Sequence, residues 1–321
     1  MTRARTIADR AGWIDRRGRG RLRLSGRDAA AFLHALVSND IAMLTPGTGS
    51  YTAYLTPQGR MIADMRVYHR GDGLVIDVAP GLAPALVSRL DLLIFSEDVR
   101  VTDESAALGQ VSVMGAASAD LLAVVTGADS GSLAALDLLS QVSIGDAWIA
   151  RTDDAPLPSF DVFMPAGACD ATIAALTEAG AVGLAADVGE AWRIEAGRPA
   201  FGVDMTTETI PLEAGLLDRA ISTTKGCYVG QEVIIRILHR GGGRVARRLV
   251  RMVFGERVRD VPQSGAVLAL DGRDVGRITS AVFSPFSNRV IALGYVHRDD
   301  AEVGRRVTVA GAEAEIVGFA G

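Results

Sequence analysis

Apolar residues in the first third of the chain follow two spacings, one typical of strands and one typical of helices. Alternation over residues 20–24 predicts a strand, and an apolar face over residues 29–36 predicts a helix that follows a glycine turn. The proline and glycine within residues 56–59 favour a tight turn between two further strands. The same reasoning predicts three strands, a helix and a closing strand at 50–56, 60–69, 74–78, 80–95 and 99–101.

The next segment repeats this order of elements. Strands are predicted at 108–114, 148–150, 160–164 and 182–184, and helices at 117–125 and 168–179. The order strand-helix-strand-strand-helix-strand is typical of a ferredoxin-like unit. Two such units in tandem predict an α+β protein.

From Arg244 onward the pattern changes to short β-rich runs separated by glycine turns. Asp271 and Gly272 form a two-residue hairpin signal. Strands this short and evenly spaced predict a small C-terminal β-barrel or sandwich, for which a structural role is the simpler interpretation. The runs lie at 249–254, 266–270, 275–280, 290–296, 307–309 and 315–319.

Composition limits the class of protein. The 321 residues are 49% hydrophobic and 22% charged, with a net charge of −5, which is typical of a globular chain. No apolar run approaches the roughly 20 residues that span a bilayer, and the N-terminus lacks an apolar signal region. The two cysteines, Cys169 and Cys227, lie far apart and without metal-ligand spacing. These features predict a cytoplasmic protein with no membrane partner, no disulfide scaffold and no bound metal.

Charge is distributed unevenly along the chain. Residues 101–185 carry 11 acidic side chains and one basic side chain, whereas residues 1–100 carry a net charge of +4. Such shifts in composition commonly coincide with domain borders, and the acidic block argues against nucleic acid as a partner. We predict an N-terminal α+β domain, a second ferredoxin-like domain, a connecting segment and a C-terminal barrel at 1–105, 106–185, 186–243 and 244–321.

One lysine stands out among the basic residues. Of the 33 basic residues 32 are arginine, and the exception is Lys225, two positions before Cys227. An ammonium is compact and can lose its proton when desolvated, whereas a guanidinium is planar and permanently charged. With Gly226 permitting a tight or left-handed backbone, we expect the ammonium to approach the sulfur and lower the pKa of the thiol. The alternative is a chance lysine beside a small buried cysteine.

The run KGCYVGQE, residues 225–232, resembles the signature of the YgfZ family of folate-binding proteins, which are linked to iron–sulfur cluster assembly and repair. The runs WRIEAGRPAFGVD and ETIPLEAGL resemble the same family and are shared with the aminomethyltransferase of the glycine cleavage system. The resemblance covers the chain from about residue 19. It implies two α+β units around a central folate cleft that the C-terminal barrel closes, with residues 186–243 lining the cleft and packing on the first domain.

The resemblance also implies roles for individual side chains. Glu195 matches a glutamate that binds the pterin ring, a task that suits a carboxylate because it can accept paired N–H donors. Arg193 and Asp64 are the other expected cofactor-binding residues. The aminomethyltransferases carry two consecutive aspartates where this chain has Ala63 and Asp64, which counts against aminomethyl transfer.

Within the motif, Cys227 and Lys225 are the expected reactive pair. If a helix begins at Cys227, its N-terminus adds positive potential at the sulfur and Gln231 lies on the same face. The remaining motif residues are Gly226, Tyr228, Gly230, Gln231 and Glu232.

The function implied is that of a tetrahydrofolate-binding accessory protein for the assembly or repair of iron–sulfur proteins. Its cofactor would be tetrahydrofolate or a one-carbon or polyglutamylated derivative, and its partners would be iron–sulfur assembly factors or client enzymes. The alternative is a tetrahydrofolate-dependent aminomethyl- or methyltransferase. A third interpretation, an RNA-binding module, rests on the arginines between residues 236 and 251, for which a solvated loop and strand edge is the favoured explanation. If these arginines attract the anionic tails of polyglutamylated folates, that attraction should weaken with salt.

Overall fold

The computed structural model describes residues 10–321. The strands are β1 Gly12–Asp15, β2 Gly20–Ser25, β3 Gly49–Leu55, β4 Met61–His69, β5 Gly73–Val78, β6 Arg100–Asp103, β7 Leu108–Met114, β8 Gln141–Ile144, β9 Ala147–Thr152, β10 Ser159–Pro165, β11 Val182–Gly183, β12 Arg247–Phe254, β13 Val267–Leu270, β14 Arg273–Ser284, β15 Arg289–His297, β16 Arg306–Val309 and β17 Ala312–Phe319. The helices are α1 Ala29–Leu36, α2 Ala83–Asp91, α3 Ser118–Thr126, α4 Ser130–Ala134, α5 Cys169–Glu178, α6 Ala186–Glu195, α7 Leu217–Ala220 and α8 Gln231–His239, with a 3-10 turn at Ala166–Ala168.

The chain forms two compact units, and each contains more than one segment. The first unit comprises residues up to Tyr54, Ala63–Leu184 and Ser222–Tyr228. The second unit comprises Leu55–Ile62, Ala185–Ile221 and Val229–Gly321.

The first sheet has the strand order β3-β4-β5-β2-β6. Because β2 lies between β5 and β6, the strands follow the ferredoxin-like arrangement with one added edge strand. Helix α1 packs on β5, while α2 packs on β2 and β6. Helix α2 is shorter than the predicted helix over residues 80–95, because Gly81 has a φ of 78° and the apolar Phe95 beyond the helix is exposed.

The second sheet has the order β11-β1-β7-β10-β9-β8, so a strand from near the start of the chain lies inside it. Strand β1 pairs antiparallel with β7 and parallel with β11. Gly12 permits this approach, since a Cβ at that position would lie 2.5 Å from a methyl group of Leu184. The domain border at residue 105 remains a prediction. Strand β1 lies before this border, yet it pairs with strands β7 and β11, which lie after it.

The two sheets of the first unit meet through aromatic and charged layers. Trp148 stacks on Phe163 with ring centroids 3.9 Å apart, and Tyr68 contacts Trp148 edge-on at 4.9 Å. Beside these rings, Arg66 forms ion pairs with Asp154 and Asp161. The layer between the sheets therefore contains both aromatic contacts and buried ion pairs.

The C-terminal strands close into a six-stranded barrel with the order β12-β15-β14-β13-β16-β17. Its interior is apolar, and Phe254, Leu268 and Ile316 are among the buried residues. The register between β12 and β17 shifts between Arg251 and Met252, which marks a β-bulge.

The predicted α+β class and the C-terminal barrel are confirmed. Helix α6 lies in the connecting segment 186–243 at a place where no helix was predicted, and β1 and β8 were not predicted either. In the part of the chain that the structure describes, no helix is both long enough and apolar enough to cross a membrane.

Candidate functional site

The ammonium of Lys225 is buried at the C-terminal end of helix α1. Its Nζ donates hydrogen bonds to the backbone carbonyls of His34, Val37 and Asn39, at 2.5, 2.7 and 3.1 Å. Carbonyls at a helix C-terminus lack intrahelical donors and carry partial negative charge, so a cation is favoured there. Three acceptors converging on one nitrogen suit an ammonium, whereas a planar guanidinium spreads its donors apart.

This geometry corrects the role predicted for Lys225. All three N–H groups of the ammonium are donated to carbonyls, so none is left to bind the sulfur of Cys227. Cys227 is exposed, and helix α8 begins at Gln231 rather than at Cys227. Lys225 therefore anchors the loop that carries the cysteine.

The glycines of the motif also differ from expectation. Gly226, for which a tight or left-handed backbone was considered, does not have a left-handed φ, and a Cβ there would meet nothing within 4 Å. Gly230 has a φ of 85°, caps helix α8, and approaches the backbone so closely that a Cβ would lie 2.5 Å from the carbonyl oxygen of Thr56. Within the motif, Gly230 is therefore the glycine whose backbone conformation and close contact exclude a side chain.

The other motif side chains have structural contacts. Tyr228 is buried with its ring centroid 5.3 Å from the Lys225 ammonium, and burial raises the pKa of Tyr228 to about 12. Glu232 pairs with Arg236 one turn later on α8, at 2.5 Å on the surface. Such an exposed pair contributes about 0.3–0.5 kcal/mol.

Glu195 is the last residue of α6, and it borders a cavity of about 400 Å³ in the second unit. Its Oε1 accepts a hydrogen bond from the hydroxyl of Ser284, while no described residue donates to Oε2. Phe286 and Arg251 also line the cavity, and Phe286 stacks on Trp192 of α6 with centroids 4.9 Å apart. The helix end is thereby held against the barrel with one carboxylate oxygen available.

Arg193 has a different role from the predicted one. Its Nε and Nη2 donate to Glu190, and its Nη1 donates to Asp204 at 2.6 Å. The remaining donors reach the carbonyl of Arg198 and, at 3.1 Å, the hydroxyl of Ser280. All five N–H groups are occupied, so Arg193 positions α6 and has no donor left for a cofactor.

Asp64 lies on β4 in the first unit, on the face directed toward the second sheet. Its carboxylate accepts a hydrogen bond of 2.8 Å from the hydroxyl of Tyr51. Burial raises the pKa of Asp64, and this effect outweighs the opposing influence of Arg19 and Tyr51. Near the same layer, burial also raises the pKa of Asp161.

The predicted site residues are divided between the units. Asp64, Lys225 and Cys227 belong to the first unit, and Arg193 and Glu195 belong to the second. Among the residues that the structure describes, no group of three or more potential metal ligands is present.

The predicted arginine cluster is largely occupied by internal contacts. Arg247 pairs with Glu213 at 3.0 Å, and Arg248 lies 3.6 Å above the ring of Phe319. Arg251 donates to the backbone carbonyl of Glu195 at 2.7 Å. These contacts engage the arginines with separate partners, which argues against a single free basic patch.

Sequence reasoning missed two residues that shape the site around Glu195. Asp204 is fully buried and accepts hydrogen bonds from Arg193 and from the hydroxyls of Thr279 and Ser280. The only sequence signal was an aspartate inside an otherwise apolar, glycine-rich run. Ser284, the partner of Glu195, gave no signal because a single serine at a strand end is common.

Comparison with known proteins places the chain in a family. The sequence matches the GCVT N-terminal domain over residues 2–225 and the glycine cleavage T-protein C-terminal barrel domain over residues 247–317. The chain belongs to this glycine cleavage T-protein family.

Individual relatives agree with this assignment. The aminomethyltransferase of Geobacillus kaustophilus is 30% identical over 94% of this chain and 84% of its own length, and that of Bacillus subtilis is 25% identical over 93% and 83%. Among solved structures, the fold is similar to that of the glycine cleavage system aminomethyltransferase T from Bartonella henselae. The TM-score is 0.86 at 21% identity, over 97% of this chain and 86% of the other.

We expect Lys225 to titrate far below an ordinary lysine, because burial lowers its pKa from 10.5 to about 8. Between these pH values the unfolded chain holds a proton that the folded chain has lost. The contribution of this group to the free energy of unfolding therefore rises as the pH increases from 8 to 10.5. Since the chain has a single lysine, labelling with ¹³C-lysine gives one Cε signal for an NMR titration.

The titration midpoint should return to an ordinary lysine value in urea. Asp40→Asn should lower the midpoint in the folded protein further, because the Asp40 carboxylate favours the ammonium. A midpoint above pH 10 in the folded wild type would contradict this prediction and would show that the three carbonyl acceptors offset the burial of the amine.

Two substitutions within the motif should differ sharply in stability. Gly230→Ala places a side chain on a left-handed residue and against Thr56, so the free energy of unfolding should fall by at least about 1–2 kcal/mol. Gly226→Ala is the matched control, because its side chain meets open space, and should change stability by less than about 0.5 kcal/mol. Urea unfolding measures both, and equal losses would contradict the assignment of the strained position to Gly230.

Proposed function

We propose that the protein binds tetrahydrofolate, or a one-carbon or polyglutamylated derivative, and acts as a YgfZ-type accessory protein for iron–sulfur proteins. Family membership supports the folate component, since the relatives are named aminomethyltransferases and enzymes of the glycine cleavage T-protein family use tetrahydrofolate. The motif KGCYVGQE, with its exposed cysteine, supports the iron–sulfur component.

The carboxylate of Glu195 carries the folate proposal. A pterin presents a 2-amino group and a ring N–H side by side, and these two donors match a carboxylate that has an oxygen without a partner. The cavity of about 400 Å³ lies within the range of small-molecule sites, and Phe286 offers an aromatic wall. When bound, the folate supplies a carrier for a one-carbon group, while Glu195 and its neighbours hold and orient the ring.

Cys227 is the proposed working thiol. One thiolate cannot hold a cluster that normally needs four, so any cluster would take further ligands from a partner protein or a small thiol. Cys169 cannot assist as a ligand, because it is fully buried and its sulfur packs against Gly109 in the core of the first unit. Lys225 supports Cys227 by anchoring its loop to the end of α1.

The alternative function is tetrahydrofolate-dependent aminomethyl or methyl transfer. The names of the relatives favour it, and Asp64 remains at the second position of the aspartate pair with a pKa that burial raises. Position 63 is a buried alanine, so the first carboxylate is absent. Two activities would establish this alternative, if either is lost in Asp64→Asn but kept in Cys227→Ser. One is formation of 5,10-methylenetetrahydrofolate from an aminomethyl donor with release of ammonia, and the other is formation of 5-methyltetrahydrofolate from a methylated amine with release of the demethylated amine.

Glu195→Ala should weaken tetrahydrofolate binding by about 1.5–3 kcal/mol, the range for a hydrogen bond to a charged group. Isothermal titration calorimetry measures the affinity directly. Glu313→Ala is the matched control, because Glu313 is an exposed carboxylate of the barrel paired with Arg306, and its affinity should equal that of the wild type. Unchanged affinity in Glu195→Ala would remove Glu195 from the folate site.

Cys227→Ser should abolish the support of iron–sulfur enzymes in cells that lack the native protein, while folding and folate affinity stay close to wild type. The reason is that Cys227 is exposed and contributes little to packing. Cys169→Ser should show the opposite result, a loss of stability without a specific loss of function, because it buries a hydroxyl in an apolar core. Full activity of Cys227→Ser in the cellular assay would refute a role for the thiol.

A further inference from the structure

We propose that Arg251 is a specificity-determining residue that reads the 4-oxo group of the pterin in the cavity beside Glu195. This inference rests on the proposed folate function and assigns a second recognition group to the same cavity. Arg251 and Glu195 both line that cavity of about 400 Å³.

The guanidinium of Arg251 is fixed relative to Glu195. Its Nη1 donates to the backbone carbonyl of Glu195 at 2.7 Å, at the C-terminal end of α6. Two glycines make room for the side chain, since a Cβ on Gly197 would lie 2.9 Å from its Cδ and a Cβ on Gly318 would lie 2.9 Å from its Nη2. The arginine is therefore held in a slot that larger residues would close.

A β-bulge occurs at the same place. Arg251 pairs with Gly318 and Met252 pairs with Ile316, which leaves Val317 as an extra residue of β17. Bulges redirect side chains and are common beside binding sites. Val317 lines the cavity next to Arg251, so the irregularity in the barrel coincides with the cavity wall.

The donors of Arg251 are mostly unused. Its hydrogen bond to Glu195 occupies one of five N–H groups, and the buried Nε has no partner among the residues that the structure describes. The carboxylate of Glu195 does not neutralise it, because the bond to Arg251 comes from the backbone oxygen and the Oε1 atom accepts from Ser284. One cavity is thus lined by a carboxylate acceptor and by an arginine that has unpaired donors.

This arrangement matches the edge of a 2-amino-4-oxopyrimidine. The 2-amino group and N3–H donate to a carboxylate, and the adjacent O4 accepts from a guanidinium. A 4-amino ring places a donor at the position of O4, where it would meet the N–H groups of Arg251. The 4-amino ring also has no hydrogen on N3, so only its 2-amino group can donate to Glu195. Arg251 should therefore favour the 4-oxo ring over the 4-amino ring, in addition to any preference that Glu195 gives through N3–H.

The test compares tetrahydrofolate with 4-amino-4-deoxytetrahydrofolate, which differ in the 4-substituent and in the hydrogen on N3. The N3 difference faces Glu195 in the wild type and in Arg251→Met alike, so it cancels when the two proteins are compared. Calorimetry on the wild type and on Arg251→Met gives, for each protein, the dissociation constant of the 4-amino ligand divided by that of the 4-oxo ligand. The ratio should fall by about 10- to 100-fold in Arg251→Met, because the 4-oxo ligand loses a charged hydrogen bond and the 4-amino ligand loses none. Arg306→Met, which removes an exposed arginine of the barrel, should leave the ratio unchanged.

The outcomes separate this proposal from the one on which it rests. If the wild type binds both ligands and Arg251→Met leaves the ratio unchanged, Arg251 does not read the 4-position, although folate binding stands. If Arg251→Met weakens both ligands equally, Arg251 acts only by placing Glu195, and the proposal is overturned. If the wild type binds neither ligand, the folate function fails, and this assignment fails with it.

A second variant covers a loss of folding. Arg251→Lys keeps the positive charge without the planar fork, and thermal unfolding reports whether each variant is folded. The Arg251→Lys variant should retain part of the preference for the 4-oxo ring. A folded Arg251→Lys variant with the full wild-type ratio would show that charge alone suffices and would overturn recognition by the guanidinium fork.

Discussion

The buried carboxylate of Asp204 is the constraint on which the cavity in the second unit depends. It accepts hydrogen bonds from Arg193 at 2.6 Å, from Thr279 at 2.5 Å and from Ser280 at 2.7 Å. One carboxylate therefore joins helix α6 to the barrel strand β14. A buried ion pair of this kind adds little net stability, but losing one partner typically costs about 3–5 kcal/mol because the other charge stays buried. Since Glu195 follows Arg193 on the same helix, this network determines where its carboxylate lies.

The first unit uses a charge in a similar way. Lys225 spends its donors on the carbonyls at the end of α1, and the neighbouring Cys227 remains exposed. In each unit a cation close in sequence to a candidate site residue has a structural role: Lys225 near Cys227 in the first unit, and Arg193 near Glu195 in the second. The residues left to meet a ligand or a partner are the less conspicuous neighbours, Glu195 and Cys227.

The strands and the barrel could be predicted because their signal is local. Alternation and short apolar runs identified β2, β7 and all six barrel strands within a few residues. Helix α6 was missed because Gly189 interrupts a weak apolar face, and β1 was missed because four residues give too short a pattern.

The candidate site was predictable only where a motif carried it. Glu195 and Cys227 followed from sequence runs, whereas the partners of Lys225 are backbone carbonyls about 190 positions earlier in the chain. Backbone acceptors leave no trace in residue type, so the anchoring role of Lys225 could not be inferred. The same holds for Arg251, whose use depends on a bulge and on glycines in two distant segments.

The position of β1 has a consequence for how the protein is made. This strand leaves the ribosome before both of its neighbours, and β11 follows it by about 170 residues. Until β11 has been synthesised, β1 has an unpaired edge, and such edges are prone to pair with the wrong strand. Closing a loop of this length costs little additional entropy per residue, but long-range pairing slows folding. The second sheet is therefore completed late. Strand β1, which is synthesised first, connects β11 on one side to β7 and the other strands on the other side.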